Sequence, residues 1–324
     1  MLSLGVGWAL VSLLFFLFFS VPPPGQEQAD WYFVGITILE TGAFALSSLM
    51  CFRNWKSGQI VSGRSVWLSI GLGLMCFAMG NILFYLWGNV WGKDPAVSLG
   101  DAFYLLSYIF LAAGMLKAVL PRRLNLESRQ WVIIAVIGLL GIALAYFFNY
   151  QVGGADLEET LPLPAATPEA VSPESTLAPE GDTTLDPTQS APDIAPAAEP
   201  EEEVPSSTAP AWVVSLDAQL EPFESFVSLL YVVGDCLLLV VAATLLVAFW
   251  GGRFSQSWKL IAIAAFCLYI ADMYFAYYVN QSDYQEGSLW EVFWTFSAVF
   301  FGLGAIVEHA ISSRSRRTSR RRRA

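Results

Sequence analysis

The chain contains one stretch of its own sequence twice. Five residues of the first copy recur at identical spacing: Trp67, Ile70, Cys76, Asn81 and Phe84 correspond to Trp258, Ile261, Cys267, Asp272 and Phe275. After a shift of one residue, 98–104 corresponds to 288–294, which places Asp101 opposite Glu291. Polar and acidic residues are rare in hydrophobic segments, so apolar composition alone does not explain these matches. The sequence therefore predicts an internal duplication.

Both copies lie in apolar segments long enough to cross a membrane. Hydrophobic residues make up 55% of the 324 residues and charged residues only 14%, whereas about 25% of a soluble protein is charged. A bilayer crossing requires about 20 apolar residues. Eight segments reach this length, at about 3–21, 31–52, 66–90, 99–120, 130–150, 224–249, 258–280 and 289–311. The sequence thus predicts an all-α polytopic membrane protein.

The first of these segments has an alternative interpretation as a secretory signal. It lacks a basic region before the apolar stretch and a cleavage site of small residues before Asp30, both of which such signals carry. The repeat also requires it as the counterpart of 130–150. We therefore expect it to be a retained helix.

The basic residues predict how the helices are oriented. All Lys and Arg residues except Lys93 fall on one side of the predicted spans, either between alternate segments or after the last one. Loops rich in Lys and Arg stay in the cytoplasm. Both termini are therefore predicted to be cytoplasmic, in the plasma (inner) membrane of a bacterium.

The number of helices in each copy predicts the arrangement of the repeat. Four helices is an even number, so the two copies insert in the same orientation and form a parallel 4+4 bundle. In this interpretation 1–120 is the first four-helix unit and 121–150 is the fifth helix, which begins the second unit. Residues 223–311 supply the remaining three helices, and 312–324 form an Arg-rich cytoplasmic tail.

The segment 151–222 differs from the rest of the chain. It is rich in Pro, Ala, Thr, Asp and Glu, and it contains no Lys or Arg. Such a segment buries too little apolar surface to offset its chain entropy, so we predict a disordered extracytoplasmic loop. It is either a tolerated insertion or a docking arm for an extracytoplasmic partner. Residues 212–214 near its end are a candidate contact element.

Polar residues inside the predicted spans are the candidate functional residues. Six of them occupy positions that membrane helices usually exclude: Glu40, Asn81, Asp101, Asp235, Asp272 and Glu291. At a rise of about 1.5 Å per residue all six fall in the outer half of the bilayer. Buried charged residues normally face the bundle interior or water and mark functional sites. We therefore expect them to converge.

Aromatic side chains collect at the same depth. Tyr104, Phe275 and Trp294 each follow a repeated polar position by three residues and so share its helix face. One interpretation is an outward-facing cavity of carboxylates and rings that binds a small molecule. The alternatives are an interfacial aromatic belt, hydrogen bonding between helices and, for Asp101 and Glu291, capping of helix N-termini.

No pattern of a catalytic, metal or cofactor site is present. The four cysteines, Cys51, Cys76, Cys236 and Cys267, have no CxxC spacing. The single histidine, His309, lies at the cytoplasmic end of the eighth apolar stretch. No phosphate loop, zinc signature or nucleophile elbow occurs. We expect no enzyme activity, no cofactor and no nucleic-acid partner.

One passage is similar to a known family. Gly80-Asn81, the run 95–108 with Asp101-Ala102-Phe103-Tyr104-Leu105, Gly234-Asp235 and Ala271-Asp272 resemble the eight-helix membrane input regions of bacterial signalling proteins. Those regions precede diguanylate cyclase, phosphodiesterase or histidine kinase modules. The resemblance implies a sensor region, here without the output domain, that acts through a separate cytoplasmic signalling partner.

Three functions agree with these observations. The first is a non-catalytic sensor or receptor-like module with the polar and aromatic cavity described above. The second is a scaffold that recruits partners through the acidic segment or the basic tail. The third is a transporter of a small solute or cation, which the duplication and the acidic residues within the membrane favour. Beyond lipids and these partners, the sequence predicts no further interaction.

Overall fold

The computed structural model of the protein describes residues 1–58, 60–93, 97–119, 127–148, 209–249, 255–280 and 286–321. Within these ranges the chain forms the helices α1 (Leu2–Phe19), α2 (Asp30–Lys56), α3 (Arg64–Tyr85), α4 (Leu99–Val119), α5 (Ser128–Tyr146), α6 (Ala211–Leu220), α7 (Glu224–Ala248), α8 (Ser255–Asn280) and α9 (Val292–Arg321). A π-helical turn, Leu86–Val90, extends α3. Two 3-10 turns, Glu221–Phe223 and Leu289–Glu291, precede α7 and α9.

The eight predicted spans are confirmed as helices. Eight helical stretches of the described residues are long and apolar enough to cross a membrane: Leu2–Phe19, Asp30–Lys56, Arg64–Val90, Leu99–Val119, Ser128–Tyr146, Ala211–Ala248, Gln256–Val279 and Leu289–Ser313. The chain is therefore a multi-pass integral membrane protein. The sixth stretch is longer than predicted because α6 and α7 join through a single 3-10 turn.

Large apolar side chains also cover the outside of the bundle. Leu4 is 74% exposed, Ile109 is 65% exposed and Leu139 is 67% exposed. Helices that are apolar on every face are stable only where their surroundings are apolar as well. Such a surface is expected to face lipid, because exposing so large an apolar area to water is unfavourable.

Six of the helices form a closed ring. The helix α2 packs against α3, α3 against α4, α4 against α7, α7 against α8, α8 against α9, and α9 against α2. Trp67 of α3 and Trp258 of α8 meet within it, are fully buried, and have ring centroids 6.1 Å apart. These two tryptophans are the first matched pair of the sequence repeat, so equivalent positions of the two copies contact each other.

The residues that the predicted repeat matches pack in the same way where α3 meets α4 and α8 meets α9. A Cβ atom at Gly114 would lie 2.7 Å from Ile70 Cγ1, and one at Gly304 would lie 2.8 Å from Ile261 Cδ1. The sequence repeat pairs Gly114 with Gly304 and Ile70 with Ile261. Small residues let membrane helices approach closely, and here the same close approach occurs at matched positions.

The outer helices α1 and α5 do not follow the predicted repeat. We expected α1 to correspond to α5, and α2 to α7. The helix α5 packs mainly on α7, whereas α1 packs mainly on α9 rather than on α2. The matched contacts are therefore confined to the ring, and a repeat of two complete four-helix units stays a prediction.

Our prediction of disorder was wrong at the end of the acidic segment. Residues 211–222 form α6 and a 3-10 turn, whereas 151–208 lie outside the described residues. Val213 of α6 is fully buried, Trp212 contacts Trp91 at 5.5 Å between ring centroids, and the Asp217 carboxylate pairs with Lys93 at 3.1 Å. Apolar burial against the chain that follows α3 therefore stabilises this helix. At the other terminus, α9 extends to Arg321, into the predicted tail.

Candidate functional site

The ring helices enclose a cavity of about 340 Å³, which we call the polar cavity. All nine residues that the sequence predicts as candidates line it: Glu40, Asn81, Asp101, Tyr104, Asp235, Asp272, Phe275, Glu291 and Trp294. Its volume lies within the range of about 300–1,000 Å³ that is typical of pockets for small molecules. The structure thus brings together residues from α2, α3, α4, α7, α8 and the start of α9.

Two of the carboxyl groups cap helices. Asp101 Oδ2 accepts hydrogen bonds from the backbone N–H of Ser98 at 2.6 Å and from its hydroxyl at 3.0 Å. Glu291 accepts from the backbone N–H groups of Gly287, at 3.0 and 2.9 Å, and of Ser288, at 3.3 Å. Both satisfy N–H groups that a helix start leaves without partners. The capping interpretation therefore holds for these two residues.

Polar positions that the predicted repeat matches make corresponding hydrogen bonds. The Tyr104 hydroxyl donates to Asn81 Oδ1 at 2.8 Å, and the Trp294 indole N–H donates to Asp272 Oδ1 at 2.7 Å. Tyr104 corresponds to Trp294, and Asn81 corresponds to Asp272. An aromatic donor on α4 or α9 thus holds a polar group on α3 or α8 in both copies.

Two tyrosines connect the copies across the polar cavity. The Tyr108 hydroxyl lies 2.7 Å from Asp235 Oδ1 and 2.6 Å from Asp272 Oδ2. The Tyr231 hydroxyl donates to Asp101 Oδ1 at 2.6 Å. Tyr108 of α4 thus joins carboxyl groups of α7 and α8, and Tyr231 of α7 binds the carboxyl group of α4. These hydrogen bonds between helices rigidify this part of the bundle.

Two buried carboxylate oxygens have no hydrogen-bond partner among the described residues. Glu40 is 7% exposed; its Oε2 accepts from Asn81 Nδ2 at a long 3.4 Å, and its Oε1 has no partner. Asp235 is 2% exposed, and its Oδ2 has no partner. Buried polar atoms are nearly always hydrogen bonded. These two oxygens are therefore the atoms of the polar cavity to which a ligand could donate a hydrogen bond.

The charge of the polar cavity has one sign. Seven of its described lining residues are acidic, namely Glu40, Asp101, Glu224, Asp235, Asp272, Glu286 and Glu291, and none is Lys, Arg or His. Eight aromatic side chains complete the lining: Phe77, Phe84, Tyr85, Tyr104, Tyr108, Tyr231, Phe275 and Trp294. Carboxylates and ring faces both attract cations.

The polar cavity and most described basic residues lie at opposite ends of the bundle. Glu224 and Glu286 of the lining belong to the end at which α7 begins and α9 is about to begin. The other end carries Arg53 and Lys56 in the last turn of α2, and Lys117 in the last turn of α4. Cations there also interact favourably with the helix C-termini.

Glu286 lies outside the membrane spans, at the edge of the polar cavity. Burial raises the pKa of its carboxyl group above the ordinary value of 4.5, whereas a hydrogen bond from Asn89 lowers it. The Asn89 amide nitrogen is 3.3 and 3.0 Å from the two carboxylate oxygens. Because burial is the larger effect, the folded protein holds this proton more tightly than the unfolded chain does.

The raised pKa of Glu286 predicts a pH-dependent stability. As pH rises above 4.5, the unfolded chain releases the proton before the folded protein does, so stability is lost until the pH passes the folded-state pKa. We expect Glu286→Gln to raise the midpoint of thermal unfolding above this window by on the order of a few degrees, with little change below it. Unfolding of detergent-solubilised protein across pH measures this difference. Identical pH profiles for wild type and variant would contradict it.

Sequence reasoning counted Tyr231 among the aromatic residues at this depth but did not identify its hydrogen bond, and it missed the role of Tyr108. Tyr108 follows Tyr104 by four residues and Tyr231 precedes Asp235 by four, a spacing that places each pair on one helix face. That spacing was the available signal. Glu308, at the other end of α9, was also missed; it is fully buried, and its Oε1 accepts from the Ser62 hydroxyl at 2.8 Å.

The cysteines take no part in this network. Cys51, Cys76, Cys236 and Cys267 are free thiols. Among the described residues, no three or more His, Cys, Asp or Glu side chains are arranged to hold a metal ion. Comparisons of the chain with protein-family models, with curated proteins and with solved structures found no match.

Proposed function

We propose that this protein is a non-catalytic membrane sensor or receptor-like module that binds a small organic cation in the polar cavity. The observation that carries this proposal is the unpartnered Oε1 of Glu40, a buried carboxylate oxygen in a lining without basic residues. An ammonium group would supply the missing donor and the missing positive charge. The aromatic side chains would surround the ligand's apolar part and attract its charge.

The proposed orientation places the polar cavity toward the outside. The basic residues at the opposite end support this, because Lys- and Arg-rich loops remain cytoplasmic. The ligand would then arrive from the extracytoplasmic side, and the signal would pass to a cytoplasmic partner or to a partner of the acidic segment. The resemblance to bacterial input regions supports the same direction of signalling, from an outside ligand to a cytoplasmic partner. The proposed 4+4 repeat agrees with a shared site, because it places the hydrogen-bonded residues between equivalent helices.

A set of three matched probes tests the binding proposal. Benzylammonium, benzyl alcohol and benzoate share one ring and differ in charge. We expect only benzylammonium to stabilise the detergent-solubilised protein, by about 2.7 kcal/mol at a concentration of 100 Kd. Thermal unfolding and calorimetric titration measure this effect. If the alcohol stabilises the protein as well as the ammonium does, the proposed charge recognition is wrong.

Transport of a cation is the second candidate. The matched hydrogen bonds of Asn81 and Asp272 favour it, since duplicated halves that meet at a central polar site are common in transporters. Vesicles reconstituted with the protein would then take up benzylammonium faster than empty vesicles. Binding without uptake would support the receptor-like function instead.

A further inference from the structure

The contacts of Tyr108 reveal where a proton lies. Its hydroxyl is within hydrogen-bond distance of Asp235 Oδ1, at 2.7 Å, and of Asp272 Oδ2, at 2.6 Å. A hydroxyl group has one hydrogen and can donate it to only one of two carboxyl groups. The second contact is a hydrogen bond only if the other carboxyl group carries a proton and donates it to the tyrosine oxygen.

The neighbouring donors decide which carboxyl group this is. Asp272 Oδ1 accepts from the Trp294 indole at 2.7 Å, and an indole N–H only donates. An ionised Asp272 can accept from both Trp294 and Tyr108, which makes it the better placed of the two groups to carry the negative charge. Asp235 has no donor on Oδ2 among the described residues, and its carboxyl group also forms a side-chain hydrogen bond with that of Asp272. Two ionised carboxylates cannot share a hydrogen bond, so one of the pair carries a proton, and the geometry places it on Asp235.

The groups that face this pair offer no positive charge in its place. Other titratable groups of the polar cavity include Asp101 and Tyr104 from α4, Tyr231 from α7, Glu40 from α2, and Glu286 and Glu291 before α9, and Cys236 and Tyr269 adjoin Asp235. Each is an acid or a weak acid. Two buried negative charges side by side, with no counter-charge, are costly. Among the described residues, the proton on Asp235 is therefore what offsets the second negative charge.

We propose that a cation entering the polar cavity replaces the proton on Asp235, so that binding exchanges one organic cation for one proton. The O–H bond of Asp235 breaks, its electron pair stays on the carboxylate, and the proton passes to water. One positive charge enters and one leaves, so the net charge of the cavity is unchanged. This exchange rests on the proposed function and defines the site more closely, as the pair Asp235 and Asp272 bridged by Tyr108.

Proton counting during binding tests the exchange. Benzylammonium is already charged at neutral pH and stays so, hence any proton released comes from the protein. We expect about one proton per bound cation, and an affinity that rises about tenfold per pH unit while Asp235 remains protonated. Calorimetric titration in two buffers with different ionisation enthalpies gives the proton count.

Three variants locate the source of that proton. Asp235→Asn keeps a donor toward Tyr108 but holds no exchangeable proton, so we expect it to release none while still binding the cation more weakly. Asp272→Asn leaves a single carboxyl group beside Tyr108 and is also expected to release none. Glu221→Gln, on the exposed turn before α7, is the matched control and should release as many protons as the wild type.

Infrared spectroscopy gives a second readout that needs no ligand. The ligand-free wild type should show the carbonyl stretch of a protonated carboxyl group, and this band should be weaker by one carboxyl group in Asp235→Asn. Absence of this band from the wild type would overturn the inference. Binding of benzylammonium without proton release would also overturn it while leaving the proposed function intact, whereas no binding by the wild type would overturn the proposed function itself.

Discussion

Glutamine at position 40 is expected to weaken the binding of benzylammonium about 10- to 100-fold, because a hydrogen bond to a charged group contributes about 1.5–3 kcal/mol. Glu40 is 7% exposed, and its Oε1 has no partner among the described residues. Glutamine keeps the size of the side chain and the contact with Asn81 but removes the charge. The loss of affinity therefore reports on that charge alone.

The same variant should not unfold the protein. Glu40 brings a buried carboxyl group with only one long hydrogen bond, at 3.4 Å, and an incompletely paired group of this kind is destabilising. We expect Glu40→Gln to unfold at a temperature equal to or higher than the wild type while binding less ligand. Glu221→Gln is again the control and should bind as the wild type does. Wild-type affinity in Glu40→Gln would refute the role of Glu40.

Valine at Gly114 is expected to destabilise the bundle by about 1–3 kcal/mol or more, the usual cost of overpacking. A Cβ atom there would lie 2.7 Å from Ile70 Cγ1, 3.1 Å from the Ile70 backbone nitrogen and 3.2 Å from the Val66 carbonyl oxygen. A side chain can change its rotamer, but a helix backbone has to move as a whole. The helices α3 and α4 would therefore separate.

Two further glycines complete this experiment. Gly304→Val should cause a similar loss, since its Cβ atom would lie 2.8 Å from Ile261 Cδ1 and 3.2 Å from the Ser257 carbonyl oxygen. Gly7→Val is the control, because nothing lies within 4 Å of a Cβ atom at Gly7. Thermal unfolding and the yield of monodisperse protein measure all three. Equal stability of Gly114→Val and Gly7→Val would contradict the proposed packing.

That the polar residues lie at one level of the bundle was predictable from the sequence, because the level depends only on the rise per residue and the alternating direction of the helices. Glu40 and Asp235 could thus be placed near Asp272 before any contact was known. The hydrogen-bond partners could not be predicted in this way. They depend on the rotation of each helix about its axis, and these helices are apolar on every side, so hydrophobic periodicity gives no signal of that rotation.

The failures have a similar physical origin. Packing between surfaces of nearly equal apolar character decides which helices α1 and α5 contact. Sequence similarity between the two helices does not indicate which neighbour each one selects. The helix α6 was missed because the composition of 151–222 was averaged over acidic and apolar parts. Val213 and Trp212 find an apolar surface only once the turn after α3 is in place, and this surface outweighs the local excess of acidic residues.

The attachment of α6 has a mechanical consequence. One helical stretch, Ala211–Ala248, includes Asp217, which forms an ion pair with Lys93, and Asp235, which lines the polar cavity. A force applied to the chain that precedes α6 would first act on the Asp217–Lys93 ion pair and the Trp212–Trp91 contact. It would reach α7 only after these contacts had broken. These contacts therefore protect the buried Asp235 from a force applied through the acidic segment.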